Sequence, residues 1–284
     1  MKDTLFYNKL TLNLRGNIQI LDRPHLMGIV NLSRDSFFPG SRTSLKNILN
    51  TAEKMIEDGA DFLDIGGFSS RPGFENIPLK EELNRCIPAI IQLHQHFPSI
   101  PLSIDTWRAE VAAEAIQAGA AMVNDISAGM ADPAMFKTIA AFNVPYVIMH
   151  SNGDMDHLHT PMETEDIMGD LIHFFSSRIF ELTHNGVNDI IIDPGFGFSK
   201  TLEQNYHVLN HLDDLSILRL PIFIGVSRKS MVFKVIKSNP EKALNGSSAI
   251  NTIAVLKGAS ILRVHDVKEA KEVVDLVRFM NTHN

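Results

Sequence analysis

The chain of 284 residues holds one cysteine, Cys86. No disulfide can close within it, which fits a reducing compartment. Cys86 lies in a helical pattern, EELNRCIPAI, where a small core residue is expected. Apolar runs of ~18 residues are missing, so no membrane-spanning helix is expected. The start, MKDTLFYNKL, lacks the apolar stretch of a secretion signal. A cytoplasmic protein with no membrane partner is the expectation. Basic residues are not in excess either: 26 Lys and Arg stand against 33 Asp and Glu, a net charge of -7. That balance argues against nucleic acid as a partner, which would need a basic face. It leaves room for an anionic small substrate, because a few cations focused on one cleft override the global sign. No low-complexity linker or compositional break divides the chain, so residues 1–284 are expected to form one domain. Metal-ligand spacing is poor too. The clearest group, Asp154, Asp156, His157 and His159, reads as a solvated turn.

What is present is a repeated unit. Eight short apolar segments end in polar, chemically capable residues: Asn31, Asp64, Asp105, Asn124, His150, Asp193, Ser227 and His265. Their spacing averages about 33 residues, the length of one strand–helix unit. Helical patterns fill the intervals, at roughly 44–58, 80–96, 107–118, 132–142, 163–185, 201–214, 241–258 and 266–281. A Gly-Ala ending recurs in IEDGAD, IQAGAA and LKGAS, each just before a strand. Eight parallel strands alternating with helices close into a (β/α)8 TIM barrel, which gathers its strand C-termini on one face. Residues 1–24 alternate in hydropathy and predict a β-hairpin turning near Arg15-Gly16-Asn17, suited to plug the bottom of the barrel 25–282.

Three strand-to-helix loops are long and polar: LSRDSFFPGSR, IGGFSSRPGFENIP and SNGDMDHLHTPME. Loops of this length in compact domains are more often functional than spacers. The segment GVSRKS sets Ser227, Arg228, Lys229 and Ser230 where the seventh strand gives way to a helix, an arrangement of donors suited to an anion. Arg263 and His265 are two residues apart and therefore share one side of the eighth strand. In such barrels the loops after strands seven and eight often hold phosphate. Asp105, Asn124 and Asp193 make the opposite kind of cluster. Two carboxylates and an amide in a barrel mouth are costly without a partner. They could ligate a metal, serve as acid and base, or receive a polar heterocycle.

Taken in order, MGIVNLSRDSF, DIGGFSSRPG, LSIDT, NDIS, IMHSNG, DPGFGFSK, GVSRKS and ILRVHDVKE resemble the motifs of the dihydropteroate synthases, over about residues 25–282. The resemblance implies a folate-pathway transferase that joins 6-hydroxymethyl-7,8-dihydropterin diphosphate to 4-aminobenzoate with magnesium, acts as a homodimer and is a sulfonamide target. It implies pterin binding by Asp105, Asn124, Asp193 and Lys229, and diphosphate binding by Asn31, Arg263 and His265, with Asn31 also at the metal. Asp105, Lys229 and Asp35 become the implied catalytic residues. Phe37, Ser70, Arg71, Pro72, Phe198, Ser227 and Ser230 become the implied surroundings of 4-aminobenzoate. The chain departs from the family pattern at Ser33-Arg34, at Phe68 where Glu is usual, at Ser70 for Thr, at Ser199 for Gly, at Ser151-Asn152 and at Val232-Phe233. Two other readings stay open at this point: a pterin-binding methyltransferase, and a non-catalytic pterin-binding homologue.

Overall fold

The computed structural model describes residues 10–32, 42–68, 77–153 and 155–283. It opens on a hairpin, β1 (Leu10–Leu14) and β2 (Asn17–Leu21), in register from Leu10 opposite Leu21 to Leu14 opposite Asn17. Arg15 and Gly16 form its two-residue turn with φ of 55° and 90°, the left-handed pair that matches strand twist.

Strand–helix units then follow one another. They are β3 (His25–Asn31) and α1 (Arg42–Glu57), β4 (Phe62–Gly66) and α2 (Leu79–His96), then β5 (Leu102–Asp105) and α3 (Ala109–Ala118). Next come β6 (Met122–Asp125) and α4 (Met135–Phe142), β7 (Tyr146–Met149) and α5 (Ile167–His184), then β8 (Ile190–Asp193) and α6 (Leu202–Asn210). The seventh unit has β9 (Phe223–Ile224) with two helices, α7 (Ser230–Val235) and α8 (Leu244–Leu256). Strand β10 (Ile261–Val264) and α9 (Val267–Thr282) complete the set. The helices bounded by periodicity are all present, and α7 is the one that GVSRKS was expected to open. Its six residues span less than two turns, too short for a periodic signal. Among the described residues no helix is long and apolar enough to cross a membrane.

The strands are parallel in the order β8-β7-β6-β5-β4-β3-β10-β9. The ends of this sheet meet at a parallel bridge between Ile192 and Ile222, which closes the (β/α)8 barrel. The Gly-Ala stops behave as the sequence suggests. Gly119 ends α3 at φ 128°, and a Cβ there would lie 2.6 Å from the His94 ring. Gly59 and Gly258 take the same left-handed turn before their strands.

Side-chain parity then sorts the core. Outward residues such as Val30, Leu63, Ile104, Val123 and Ile148 pack with the helices, and Cys86 is buried among them as expected. Inward residues Met27, Phe62, Met122, Val147, Ile191, Phe223 and Ile261 form a second cluster with Leu12, Leu14 and Leu21 of the hairpin. The hairpin therefore plugs the barrel from its N-terminal end. Asp61 fastens the junction by accepting from Arg23 at 2.6 Å and from the Leu26 amide at 2.9 Å.

Leu12 is 1 % exposed at the centre of this plug. Leu12→Ala is expected to lower unfolding stability by ~2–5 kcal/mol, as buried leucine truncations do. Urea unfolding measures it. A loss below ~1 kcal/mol would show that the plug is not packed as described.

Candidate active site

The same parity that makes the barrel bottom apolar makes its top polar. Asp64 on β4, Asp105 on β5, Asn124 on β6, Asp193 on β8 and Arg263 on β10 all stand on inward positions two residues above the apolar layer or next to it. Cross-strand register sets Asp105 beside Asn124. Arg263 reaches across the barrel mouth, donating from Nε to Asp64 Oδ2 at 2.6 Å and from Nη2 to Asp105 Oδ2 at 2.8 Å. Asn124 Nδ2 also donates to Asp64 Oδ2, at 3.1 Å. Asp64 is fully buried. It is therefore the hub of this network.

Two carboxylates share one guanidinium here, so the group carries one negative charge in excess when both are ionised. Burial raises the Asp105 pKa to about 7, with Arg263 opposing and the Asp64 charge reinforcing the shift. For Arg263 burial acts to lower the pKa, but Asp64 and Asp105 more than offset it. Asp64 Oδ1 and Asp105 Oδ1 have no hydrogen-bond partner among the described residues. Unsatisfied buried carboxylate oxygens are unfavourable at rest and suited to accept from a ligand.

On the opposite wall, Asp193 Oδ1 accepts from the Gly195 amide at 2.8 Å. Gly195 sits at φ 71°, and a Cβ on it would lie 2.1 Å from the His150 carbonyl oxygen, so only glycine permits this approach. Lys200 secures the turn from behind. Its Nζ contacts His150 Nδ1 at 2.8 Å and donates towards the carbonyls of Gly195 and Phe198 at 3.3 Å. Burial lowers Lys200 to about 7 and His150 to about 3, so the imidazole is neutral and accepts from the ammonium. Burial likewise raises Asp193, opposed by the Lys229 charge. Lys229 Nζ donates to the Phe196 carbonyl at 2.7 Å and stands 4.3 Å from the Phe198 ring centroid, a cation–π distance. Burial lowers its pKa to about 8.

A cavity of about 690 Å³ opens over this floor. Asn31, Asp105, Phe198, Ser227, Lys229, Ser230, Arg263 and His265 line it. Asn124 and Asp193 belong to the same inward layer but are not part of its wall, being 4 % and 5 % exposed. Ser227 Oγ accepts from the His265 amide at 3.3 Å, which joins the ends of β9 and β10 at the anion side. The neighbouring Arg228 is used otherwise: it clamps Asp266 with bonds of 2.9 and 2.6 Å and is a structural residue. Asp35, Phe37, Ser70, Arg71 and Pro72 lie outside the described residues.

Three residues carry more than the sequence suggested. Asp64 is one strand end among eight by pattern, and only the third dimension makes it a hub. Lys200 belongs to the DPGFGFSK run, but a lysine that turns inward has no periodic signal. His159, expected in a solvated turn, lines the cavity and stacks on Phe198 with centroids 5.2 Å apart. By contrast His150, expected at the mouth, points outward against Phe174 and Phe175. Strand β7 presents Val147 and Met149 inward, so parity sends His150 the other way.

As to a metal, no group of three or more His, Cys, Asp or Glu side chains placed to hold a metal ion occurs among the described residues. The available donor near the anion side is the Asn31 amide oxygen on an exposed strand end. Such a donor set fits magnesium held mainly by ligand phosphates and water, with one protein oxygen. It does not fit a dedicated protein cage.

Chemically, the floor offers acceptors for a polar heterocycle, the Ser227–His265 side offers donors to an anion, and Phe198 offers a flat apolar wall. The sequence matches the family described as "Pterin binding enzyme" over residues 27–265. It is 42% identical to the dihydropteroate synthase of Synechocystis sp. over 255 residues, covering 88% of each chain. The fold superposes on a Xanthomonas albilineans dihydropteroate synthase solved with 4-aminobenzoic acid, with a TM-score of 0.88, 37% identity and coverage of 95% and 98% of the two chains. A Yersinia pestis dihydropteroate synthase solved with a sulfonamide drug gives a TM-score of 0.89 at 38% identity, covering 97% of this chain and 100% of that one.

Because Arg263 is the shared counter-ion of Asp64 and Asp105, its removal strands two buried carboxylates. Arg263→Ala is expected to cost ~3–5 kcal/mol of unfolding stability. Adding Asp64→Asn should recover part of that loss, since one of the stranded charges goes with it. Denaturant unfolding of the single and double variants measures both. Purely additive losses would contradict the network.

Proposed function

The chain belongs to the dihydropteroate synthase family, and from that premise we propose that it condenses 6-hydroxymethyl-7,8-dihydropterin diphosphate with 4-aminobenzoate, releasing diphosphate and forming 7,8-dihydropteroate. The observation that supports this most is the polar floor of Asp105, Asn124 and Asp193 beneath a cavity with Arg263 and Lys229 in its wall. A pterin ring carries an amino group beside a ring N–H, two adjacent donors that suit one carboxylate. Asp193 takes that role, Asn124 reads neighbouring ring atoms, and Lys229 donates to the carbonyl edge. Asp105 stands beside the dihydropyrazine ring.

The reaction runs as a dissociative substitution. The bond between the pterin methylene carbon and the diphosphate oxygen breaks, and its electron pair leaves with diphosphate. The positive charge left on the pterin is stabilised by the fixed Asp105 carboxylate. The amine nitrogen of 4-aminobenzoate then forms the new C–N bond and gives up one proton. Asn31, His265 and Arg263 hold the departing diphosphate. Magnesium, when bound at Asn31, supplies charge neutralisation for the phosphate oxygens. Phe198, Ser227 and Ser230 border the aminobenzoate; the family resemblance assigns the same substrate to Asp35, Phe37, Ser70, Arg71 and Pro72, outside the described residues.

The whole chain, 1–284, is read as one pterin-binding barrel unit acting in the cytoplasm, where a lone thiol suits the reducing conditions. A homodimer belongs to the same reading. The exposed apolar side chains Ile253 and Leu256 on α8 and Leu276, Phe279 and Met280 on α9 support it as a surface for a second copy.

Dihydropteroate formation should require both substrates. A preparation that binds pterin but forms no product with both would leave only a pterin-binding homologue. The pH dependence gives a sharper check. Asp105 must be ionised, so kcat/KM should rise with pH through about 7. Lys229 must be protonated, so kcat/KM should fall as pH passes about 8. Asp105→Asn should flatten the acid limb and Lys229→Met the alkaline limb, each at reduced rate. Limbs that persist unchanged in these variants would remove the roles given to both residues.

A further inference from the structure

We infer that His159 is a positioning residue for the arylamine substrate, setting the plane of Phe198 and thereby the outer wall of the aminobenzoate pocket. This rests on the reading above that Phe198 borders 4-aminobenzoate. The segment between β7 and α5 is stitched to the turn after β8 on both sides of His159. Ser199 makes the stitches. Its Oγ accepts from the Asn152 amide at 3.1 Å and donates to the Leu158 carbonyl at 2.9 Å. Its amide donates to the same Leu158 carbonyl at 3.0 Å, and its own carbonyl accepts from the Met162 amide at 2.9 Å. Ser199 holds φ 48°, a left-handed conformation that glycine adopts most readily. A glycine there would keep the backbone bonds and lose both hydroxyl bonds.

Within this clasp His159 has a defined pose. Its ring lies nearly parallel to Phe198, at 21° with centroids 5.2 Å apart, and Nδ1 stands 3.2 Å from the Gly197 carbonyl oxygen. Donation from Nδ1 to that carbonyl fixes the ring orientation. Leu158, one residue before, is buried with Phe68, Trp107, Ile126, Met149 and Phe198. Besides this apolar packing, Phe198 meets two polar groups, the His159 ring and the Lys229 side-chain nitrogen 4.3 Å from its centroid. His159 and Lys229 line the same cavity. A planar aromatic acid entering there stacks or slides according to the tilt of that wall. The pterin floor stands on the strand-end residues Asp64, Asp105, Asn124 and Asp193 and meets this wall at Lys229, which floor and wall share. His159 therefore acts chiefly on the arylamine.

Steady-state kinetics of His159→Ala and His159→Phe test this. His159→Ala should raise the KM for 4-aminobenzoate about three- to tenfold, the scale of one aromatic stacking contact. The KM for the pterin diphosphate should stay within about twofold of wild type. His159→Phe keeps the stacking face and should restore most of the loss. An unmoved aminobenzoate KM in His159→Ala overturns the inference, as does an equal rise in both KM values, which marks general damage. So does a His159→Phe variant as impaired as His159→Ala. If wild type forms no dihydropteroate, the functional reading fails and takes this inference with it. If wild type turns over normally, the same failures fall on His159 alone.

Discussion

The Arg263 guanidinium held between Asp64 and Asp105 is the constraint on which the rest of the site depends. It joins β10 to β4 and β5 across the barrel mouth, and through Asp64 it reaches Asn124 on β6. Four strands are thereby tied at the level where a ligand would lie. Buried ion pairs add little to net stability, because desolvation offsets most of the attraction. Their retention is better understood as geometric. The network orients Asp105 and Asn124 before any ligand arrives, so less ordering is left to do at binding.

The electrostatics have the same logic on the other side. Asp193 lies between two buried lysines: Lys229 and Lys200 both oppose the rise in its pKa, and its charge opposes the fall in theirs. Lys200 does not line up with the chemistry but with the backbone that shapes it: its contacts with the carbonyls of Gly195 and Phe198 support both the amide that holds Asp193 and the ring that walls the pocket. A negatively charged chain thus presents a cavity bordered by fixed basic side chains. Lys200, Arg228, Lys229, Lys234 and Arg263 line it while the net charge of the whole is -7. Local focusing, rather than overall charge, suits the site to an anionic substrate.

Much of this was legible in the sequence because a barrel converts one-dimensional periodicity into a single face. Asp105, Asn124, Asp193 and His265 could be placed at the barrel mouth as the ends of apolar segments, and the Gly-Ala stops at Gly59, Gly119 and Gly258 marked the helix ends. Parity also decided what pattern-reading missed. His150 ends its segment as visibly as Asp193, but it follows an inward Met149 and so faces the helices. The hub role of Asp64 depends on a partner 199 residues away, which no local window contains. His159 was obscured by its acidic and histidine neighbours, which read as a solvated turn. Only the contact between two separate loops gives it a place in the wall. The short helix α7 was expected to open at GVSRKS, but its six residues are too few for periodicity to give it bounds.

The central claim is that the Asp64–Arg263–Asp105 network organises the pterin floor in advance. The most direct test is calorimetric titration of 6-hydroxymethyl-7,8-dihydropterin, without its diphosphate, into wild type and Asp64→Asn. The substitution keeps the volume of Asp64, and its amide oxygen can still accept from both Arg263 Nε and Asn124 Nδ2, which share Oδ2. What it removes is the charge that holds the guanidinium. Asp64 need not touch the ligand for this to matter. A folded Asp64→Asn protein that binds the pterin about tenfold or more weaker is the predicted result, the scale of one charged hydrogen bond made neutral. Unchanged affinity in that variant would contradict the account.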